Sequence, residues 1–215
     1  MNFTSKTSCI LCGHEETHDF CVVSHRRYFH CGHCDLVFLN PDQRPSPEQE
    51  HAEYEQHNND PEDLRYRRHL SKLTRPLVQD LPRHASGLDF GCGPGPTVSV
   101  MLEEQGFLVK NYDPYFVPDE APLNCTYDFI ACTEVAEHFF DPSTTFKLLA
   151  SLLKPGGRLG LMTQFRPQDL AFADWYYIKE RSHVTFYSEG SFSWLAQSLG
   201  WTIREMYSPI VIFEN

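Results

Sequence analysis

The sequence predicts an α/β protein with a doubly wound, largely parallel sheet, preceded by a small β-rich module that binds a metal. Two observations support the sheet: short apolar strands alternate with helices from residue 88 onward, and the first strand runs into a glycine-rich turn. Two Cys-x-x-Cys pairs indicate the module. We therefore predict three parts: a module at residues 1–40, a helical linker at 41–84 and an α/β domain at 85–215.

The composition limits the classes of function. With 215 residues and a formal net charge of −11, the chain can bury one sizeable core, and its surface repels polyanions. Nucleic-acid binders usually carry a basic footprint, so a nucleic acid is disfavoured as a partner. No apolar run approaches the roughly 20 residues that span a bilayer, and the chain starts without a signal-peptide core. We expect a cytoplasmic protein with no membrane partner.

The module at residues 1–40 carries four cysteines in a metal-binding spacing. Cys9 and Cys12 form one pair, Cys31 and Cys34 form the other, and 18 residues separate the pairs. So short a segment buries too little apolar surface to fold alone, and zinc held by four thiolates replaces the missing core. We expect a structural zinc in a zinc-ribbon-like module, because four ligands leave no open coordination position. Iron on the same sulfurs, and docking of a protein partner or substrate by the module, remain alternatives.

Two helices are predicted in the linker. Ser46-Pro47-Glu48-Gln49 is a capping box with proline at the first helical position, and predicts a helix from Glu48 to about His57. Asn59-Asp60-Pro61-Glu62 repeats this pattern and predicts a second helix to about Asp80. One face of that helix is apolar and carries Leu64, Leu70, Leu73 and Leu77. Polar and aromatic side chains on these helices, Tyr54, His57 and Tyr66, are candidate contacts for a ligand of the domain that follows.

Strands and helices then alternate. The predicted strands are Leu88–Phe90, Phe107–Tyr112, Tyr127–Cys132 and Arg158–Thr163, and the predicted helices are Pro96–Gln105 and Ser143–Leu153. Ser188 caps a last helix that ends near Leu199, followed by a hairpin of Trp201–Tyr207 and Ile210–Phe213. The segment between Asp113 and Tyr127 is too short for a strand and a helix, so we expect a loop there.

The turn after the first of these strands has the spacing of a nucleotide cradle. It reads Gly91-Cys92-Gly93-Pro94-Gly95-Pro96, and glycines let the backbone approach a ligand closely. A dinucleotide fingerprint needs a third glycine at position 96, where this chain has proline. The pattern is therefore Gly-x-Gly-x-Gly, and an NAD-linked oxidoreductase is the least favoured enzyme.

Polar residues follow the ends of successive strands, where an open α/β sheet binds its ligands. Asp89 and the glycine turn end the first strand, and Asp113 ends the second, where a carboxylate can accept hydrogen bonds from ribose hydroxyls. Thr133 and Glu134 follow the third strand. We expect all of these residues to meet at one cofactor site.

Several blocks together resemble the class I S-adenosylmethionine-dependent methyltransferases. The matching stretches are 88–95, 113–114, 127–130, 134–138, 152–157 and 183–188. The resemblance implies a Rossmann-like methyltransferase sheet with S-adenosylmethionine as donor. It further implies that Gly91, Gly93 and Gly95 contact the donor, that Asp113 binds its ribose, and that Pro114 and Tyr115 approach its adenine.

Methyl transfer from a sulfonium needs alignment of the reactants, and a base only where the acceptor must lose a proton. His183 is the best candidate base, because imidazole titrates near neutral pH. Glu137 and His138 are further catalytic candidates, since they lie just beyond the third strand. Each of the three could instead be a structural hydrogen-bond partner. Large side chains between residues 165 and 181 are expected to roof an acceptor pocket: Phe172, Trp175, Tyr176 and Tyr177.

The leading interpretation is a methyltransferase that uses S-adenosylmethionine and a small-molecule acceptor. A four-cysteine module ahead of such a domain also resembles the deoxysugar C-methyltransferases and the rRNA guanine methyltransferases. An RNA or protein methyltransferase that docks its substrate through the module is therefore an alternative. A binding protein with a degenerate donor site is a third, from another class.

Overall fold

The computed structural model describes residues 7–56, 59–167 and 171–215, which form two β-sheets and the helices around them. His57, one of the candidate contacts, lies outside the described residues. None of the described helices is long and apolar enough to cross a bilayer.

The N-terminal sheet is antiparallel and contains four strands in the order β1-β2-β3-β8. Their bounds are Thr17–Val23, Arg26–Cys31, Val37–Leu39 and Thr185–Phe186. The sheet agrees with the β-rich module predicted from the sequence, although β2, which reads Arg26-Arg27-Tyr28-Phe29-His30-Cys31, has no alternating apolar pattern. Val37 pairs with Phe186, so the last strand of this sheet comes from the far end of the chain.

Packing is continuous between the N-terminal sheet and the rest of the protein. Phe29 and Phe38 are buried in the same apolar cluster as Leu88 and Ile130 of the central sheet. The described part of the module, residues 7–40, therefore packs against the larger part of the molecule, and the boundaries at residues 40 and 84 stay a prediction.

Two helices connect the sheets, α1 (Pro47–Tyr54) and α2 (Leu64–Val78). The predicted capping box at Ser46 is present at the start of α1. The prediction for α2 was wrong at its start, since Asp63 caps the helix by accepting from the backbone N–H groups of Arg65 and Tyr66. Leu64 therefore sits in the first turn with 75% of its surface exposed, while the other three predicted leucines are buried.

The central sheet has the strand order β5-β4-β6-β7-β10-β9. Its strands are β4 (Ser86–Phe90), β5 (Leu108–Tyr112), β6 (Tyr127–Thr133), β7 (Leu153–Met162), β9 (Thr202–Tyr207) and β10 (Ile210–Glu214). Strands β5, β4, β6 and β7 pair in parallel, whereas β10 pairs antiparallel with both β7 and β9, so the sheet is mixed. Three helices complete the α/β pattern: α3 (Thr97–Glu103), α4 (Pro142–Leu152) and α5 (Glu189–Leu199). The predicted doubly wound fold is confirmed.

Strand β4 is the point at which the strand order reverses. Its neighbour on one side is β5, the next strand along the chain, and its neighbour on the other side is β6. Such a reversal opens a crevice at the carboxyl ends of the strands. The segment from β5 to β6 contains a bridge between Asp113 and Val117 and a 3-10 turn at Ala121–Asn124, in agreement with the predicted loop. The fold thus places Asp89, Asp113 and Thr133 around one crevice.

Candidate active site

A cavity of about 700 Å³ occupies this crevice. It lies at the carboxyl ends of β4, β5 and β6, under helix α1 and the segment 176–183. Seven carboxylate residues line it: Glu50, Asp89, Asp113, Glu134, Glu137, Asp141 and Glu180. Among the residues that the structure describes, no lysine or arginine is part of the lining. The cavity is therefore electrostatically suited to a cation.

The glycine turn forms one wall and needs its glycines for two reasons. Gly91 has φ +79°, and a Cβ atom there would stand 2.4 Å from Val135 Cγ2. A Cβ atom on Gly95 would stand 2.1 Å from the backbone oxygen of Asn59. That same oxygen accepts a hydrogen bond from Thr97 Oγ1 at 2.9 Å. Asn59 thus lies across the turn, a position that no local sequence pattern indicated.

The Asp113 side chain connects the glycine turn to the loop after β5 through hydrogen bonds. One carboxylate oxygen accepts from the backbone N–H of Gly93 at 3.0 Å, and the other accepts from Tyr115 at 2.9 Å and Phe116 at 3.1 Å. Charged acceptors of this kind hold a backbone firmly. All nine residues predicted for the donor site line the same cavity: Asp89, Gly91, Gly93, Gly95, Asp113, Pro114, Tyr115, Thr133 and Glu134. What they bind stays a prediction.

Helix α1 covers the half of the cavity that contains the nine predicted donor-site residues, called the donor half below. It also connects this half to the other half. Glu50 accepts from Tyr54 Oη and from Tyr115 Oη, both at 3.1 Å. The Tyr54 ring also packs against His138, at 5.2 Å between ring centres. Tyr54 and Tyr66, two of the three candidate contacts, therefore lie at the site, whereas Glu50 was not predicted.

Asp89 is 1% exposed, and its Oδ1 atom has no hydrogen-bond partner among the described residues. Burial raises the pKa of this carboxyl from 3.8 to about 7, and the charge of Asp113 adds to the shift. The folded ligand-free protein therefore holds a proton on Asp89 up to near neutral pH, whereas the unfolded chain releases it near pH 4.

We expect the unfolding free energy of the ligand-free protein to fall as pH rises from about 4 to about 7. The proton on Asp89 contributes up to about 4 kcal/mol to the unfolding free energy. This contribution is fully present below the pKa of Asp89 in the unfolded chain, and it is lost as the pH rises through the pKa of Asp89 in the folded protein. Asp89→Asn removes this contribution, so urea unfolding at several pH values should show a flatter profile. Asp119→Asn, at an exposed position, serves as control. Identical profiles for Asp89→Asn and the unmodified protein would contradict the assignment.

The three predicted catalytic residues lie together in the other half of the cavity. His183 Nε2 is 3.9 Å from Glu137 Oε1, and the rings of His138 and His183 are 4.7 Å apart. Glu137 is fully buried, and burial raises its pKa well above the ordinary value, with Glu134 adding repulsion. Burial lowers the pKa of His183. The fourth member of the group is Glu180, whose Oε2 lies 3.2 Å from His183 Nε2.

Tyr177 organises this group, a role that the sequence did not reveal. Its hydroxyl donates a short hydrogen bond to Glu137 Oε1 and lies 3.1 Å from Glu134 Oε2. Its backbone oxygen lies 2.7 Å from His183 Nδ1. Tyr176 and Tyr177 line the cavity as predicted, but Phe172 and Trp175 pack instead into the core beneath the N-terminal sheet. Only two of the four aromatic residues predicted to roof the acceptor pocket therefore line the cavity.

The four predicted metal ligands form a second cluster, in the N-terminal module. Cys9 Sγ is 3.5 Å from Cys34 Sγ, and Cys12 Sγ is 3.5 Å from Cys31 Sγ. All four sulfurs lie within 4.8 Å of one another. A tetrahedral ion with metal–sulfur bonds of about 2.3 Å separates its sulfurs by about 3.8 Å, so the cluster fits such an ion.

Arg26 of β2 connects the N-terminal sheet to the segment 176–183. Its guanidinium donates to four backbone oxygens, at 2.9 to 3.3 Å, which belong to Ile178, Glu180, Arg181 and His183. A planar fork of donors can hold several acceptors in a fixed arrangement. The loop that carries Glu180 and His183 is therefore shaped by the N-terminal sheet.

Two kinds of known protein are similar to this chain. It is 29% identical over 80 residues to the ubiquinone biosynthesis O-methyltransferase of Aeromonas salmonicida. The aligned region covers 37% of this chain and 34% of that protein. The enzyme of the same name from Marinobacter nauticus is 33% identical over 94 residues, covering 42% and 39%. The matches therefore span between a third and two fifths of these relatives.

Solved structures show the same fold at lower identity. The 1,6-didemethyltoxoflavin-N1-methyltransferase of Burkholderia thailandensis, with bound substrate and S-adenosylhomocysteine, superposes with a TM-score of 0.58 at 15% identity, over 93% of this chain and 99% of that one. The magnesium protoporphyrin IX methyltransferase of Synechocystis gives 0.54 at 19%, over 81% and 97%. A model of the methyltransferase domain matches residues 62–206, about two thirds of the chain. The chain thus belongs to the methyltransferase domain family.

Proposed function

We propose that this protein transfers a methyl group from S-adenosylmethionine to a small-molecule acceptor. The observation that carries the proposal is the convergence of the glycine turn, Asp113 and the Glu137–His138–His183 group on one cavity. The family membership and the two structural neighbours, both solved with S-adenosylhomocysteine, support it.

The donor half is formed by the glycine turn and the end of β5. Gly91, Gly93 and Gly95 leave room for a ligand against the backbone, and Asp113 Oδ2, which accepts only from Gly93, has capacity for one more hydrogen bond, from a ribose hydroxyl. The adenine is assigned to the space beside Pro114 and Tyr115. The acidic lining suits the positive charge of a sulfonium.

The acceptor half is bounded by Glu137, His138 and His183, to which we assign acceptor binding and uptake of its proton. A cavity lined by acidic side chains, with no lysine or arginine among its described lining residues, repels a phosphate backbone, which favours a small acceptor over RNA. By analogy with the O-methyltransferase relatives, the proposed acceptor atom is a hydroxyl oxygen.

We further propose that Cys9, Cys12, Cys31 and Cys34 hold a structural zinc ion. The fit of the four sulfurs to a tetrahedral ion supports this, and four thiolates favour zinc or iron over harder metals. Because such a site requires reduced cysteines, we place the protein in the cytoplasm. Metal analysis of untagged protein separates zinc from iron.

The test of the donor assignment is a calorimetric titration with S-adenosylhomocysteine and with NAD⁺. We expect binding of the former only, and Asp113→Ala should weaken it by about 10- to 100-fold, since a hydrogen bond to a charged group contributes about 1.5–3 kcal/mol. Asp119→Asn, which keeps the turn at Ala121, should bind like the unmodified protein. A preference for NAD⁺, or no binding by folded protein, rejects the proposed function.

A further inference from the structure

Helix α2 concentrates positive charge on a strongly acidic protein. The chain has a formal net charge of −11, yet five of its 18 lysines and arginines lie within the 15 residues of Leu64–Val78, and no aspartate or glutamate does. Four of the five cations are exposed: Arg65, Arg68, Lys72 and Arg75. These four residues form the basic stripe.

The basic stripe runs along one side of the helix. Its members follow one another at intervals of three, four and three positions, so at about 100° per residue they fall within an arc of about 80°. At about 1.5 Å per residue, the stripe is about 15 Å long. On the opposite side of the helix, Leu70, Leu73 and Leu77 are buried in the core against the central sheet. The stripe is therefore a single row of cations that faces solvent.

The protein supplies no counter-charge for this row within its described residues. Arg67, the remaining cation of the helix, lies outside the stripe and pairs with Glu104, whereas no ion pair between described residues involves a member of the stripe. Like charges three or four positions apart repel each other, and Arg65 lies near the positive end of the helix dipole. The stripe therefore opposes the stability of its own helix, which cannot account for it.

The basic stripe borders the candidate active site. His69, which lines the cavity, is four positions from Arg65 and three from Lys72, so it is a neighbour of both on the helix surface. Leu64, four positions before Arg68, adds an apolar side chain with 75% of its surface exposed. This surface thus combines a row of cations, an exposed leucine and the edge of the cavity.

The shape of this surface favours an acidic protein over other anionic partners. A bilayer binds helices whose apolar face is free to enter it, and the apolar face of α2 is buried in the core. A nucleic acid would extend beyond the 15-residue helix and meet a protein of net charge −11. A protein helix with carboxylates three and four positions apart matches the spacing of the stripe, and its apolar side chains can contact Leu64.

We propose that the basic stripe docks an acidic helix of a partner protein, which then lies beside the cavity. Three of the four cations are arginines, whose planar guanidinium groups bind carboxylates through two parallel hydrogen bonds. Complementary charges at a surface govern the choice of partner and the association rate more than the affinity. We therefore expect a complex that forms fast and weakens as salt is added.

The test uses two synthetic peptides of identical composition as probes. In one, glutamates are placed three and four positions apart on a helix that also carries leucine, and in the other the same residues are scrambled. Fluorescence anisotropy at low salt should show tighter binding of the patterned peptide. Combining Arg68→Glu with Lys72→Glu should weaken that binding by more than about tenfold, because like charges facing each other across an interface are strongly unfavourable.

The matched control compares Lys72→Glu with Lys147→Glu. Lys147 is an exposed lysine of α4, which packs on the other face of the central sheet, and its reversal changes the net charge by the same amount. Circular dichroism verifies that each variant is folded, and only Lys72→Glu should weaken peptide binding.

Four results would overturn the proposal. The first two are equal binding of both peptides and equal weakening by Lys147→Glu. The third is tighter binding, through Lys72, of a single-stranded RNA or of phosphatidylglycerol vesicles than of the patterned peptide. The fourth is a dimer of the unmodified protein that Lys72→Glu dissociates, since the stripe would then bind a second copy of this chain.

Discussion

Replacing Cys31 by serine is expected to release the metal and to lower the melting temperature by about 10 °C or more. A structural zinc ion contributes about 10–16 kcal/mol to the folded state of small metal-binding modules, and 1 kcal/mol corresponds to about 2–4 °C in a protein of this size. Cys31 is fully buried at the end of β2, so the loss also leaves an unsatisfied serine hydroxyl in the core.

Cys21→Ser is the matched control for this prediction. Cys21 lies on the neighbouring strand β1, is partly buried and does not belong to the four-sulfur cluster. Calorimetric melting and metal content should be measured on both variants. Cys21→Ser should keep the metal and melt near the unmodified protein. If Cys31→Ser keeps a full equivalent of metal and the same melting temperature, these sulfurs do not hold a structural ion.

Arg26→Ala is expected to loosen the acceptor half of the cavity while leaving donor binding nearly intact. The substitution leaves four backbone oxygens of the segment 178–183 without their donor, and at about 0.5–1.5 kcal/mol for each hydrogen bond it destabilises the protein by about 2–6 kcal/mol. The proposed donor site at Gly93 and Asp113 contains none of these four oxygens.

Three measurements define the result for Arg26. Amide hydrogen exchange should accelerate within 178–183, urea unfolding should report the lost stability, and titration with S-adenosylhomocysteine should stay within a few-fold of the original. Arg26→Lys should recover only part of the effect, because an ammonium lacks the planar fork. Arg27→Ala is the control: the neighbouring side chain pairs with Asp19 at the surface, and its loss should leave exchange in 178–183 unchanged. If amide hydrogen exchange within 178–183 is as slow in Arg26→Ala as in the unmodified protein, the guanidinium does not hold this segment.

The donor half of the cavity was predictable because its residues follow local patterns. Asp89, the glycine turn, Asp113 and Glu134 each come at the end of a strand, and parallel strands bring their carboxyl ends to one edge. The start of α2 was predicted too early because two acidic residues that can cap a helix, Asp60 and Asp63, lie within one turn, and sequence alone does not rank them.

The acceptor half was predictable only in part. His183, Glu137 and His138 were identified by residue type, but their neighbours arrive from distant parts of the chain. Arg26 reaches its four carbonyls across more than 150 positions, and Tyr177 meets Glu137 across 40. Contacts of this kind depend on tertiary packing between residues far apart in the chain, and they produce no periodic pattern in the sequence. The pairing of β3 with β8 escaped prediction for the same reason.

That pairing also has a consequence for the order of folding during synthesis. Strand β3 can pair with β2 early, but it cannot gain β8 as its second neighbour until Phe186 has been synthesised. All four cysteines lie between residues 9 and 34, so a metal ion can bind as soon as that segment emerges. Long-range strand pairing is slow and leaves an edge exposed meanwhile. The proposed ion would then hold the segment that contains β1 and β2 in its folded form while its sheet waits for the last strand.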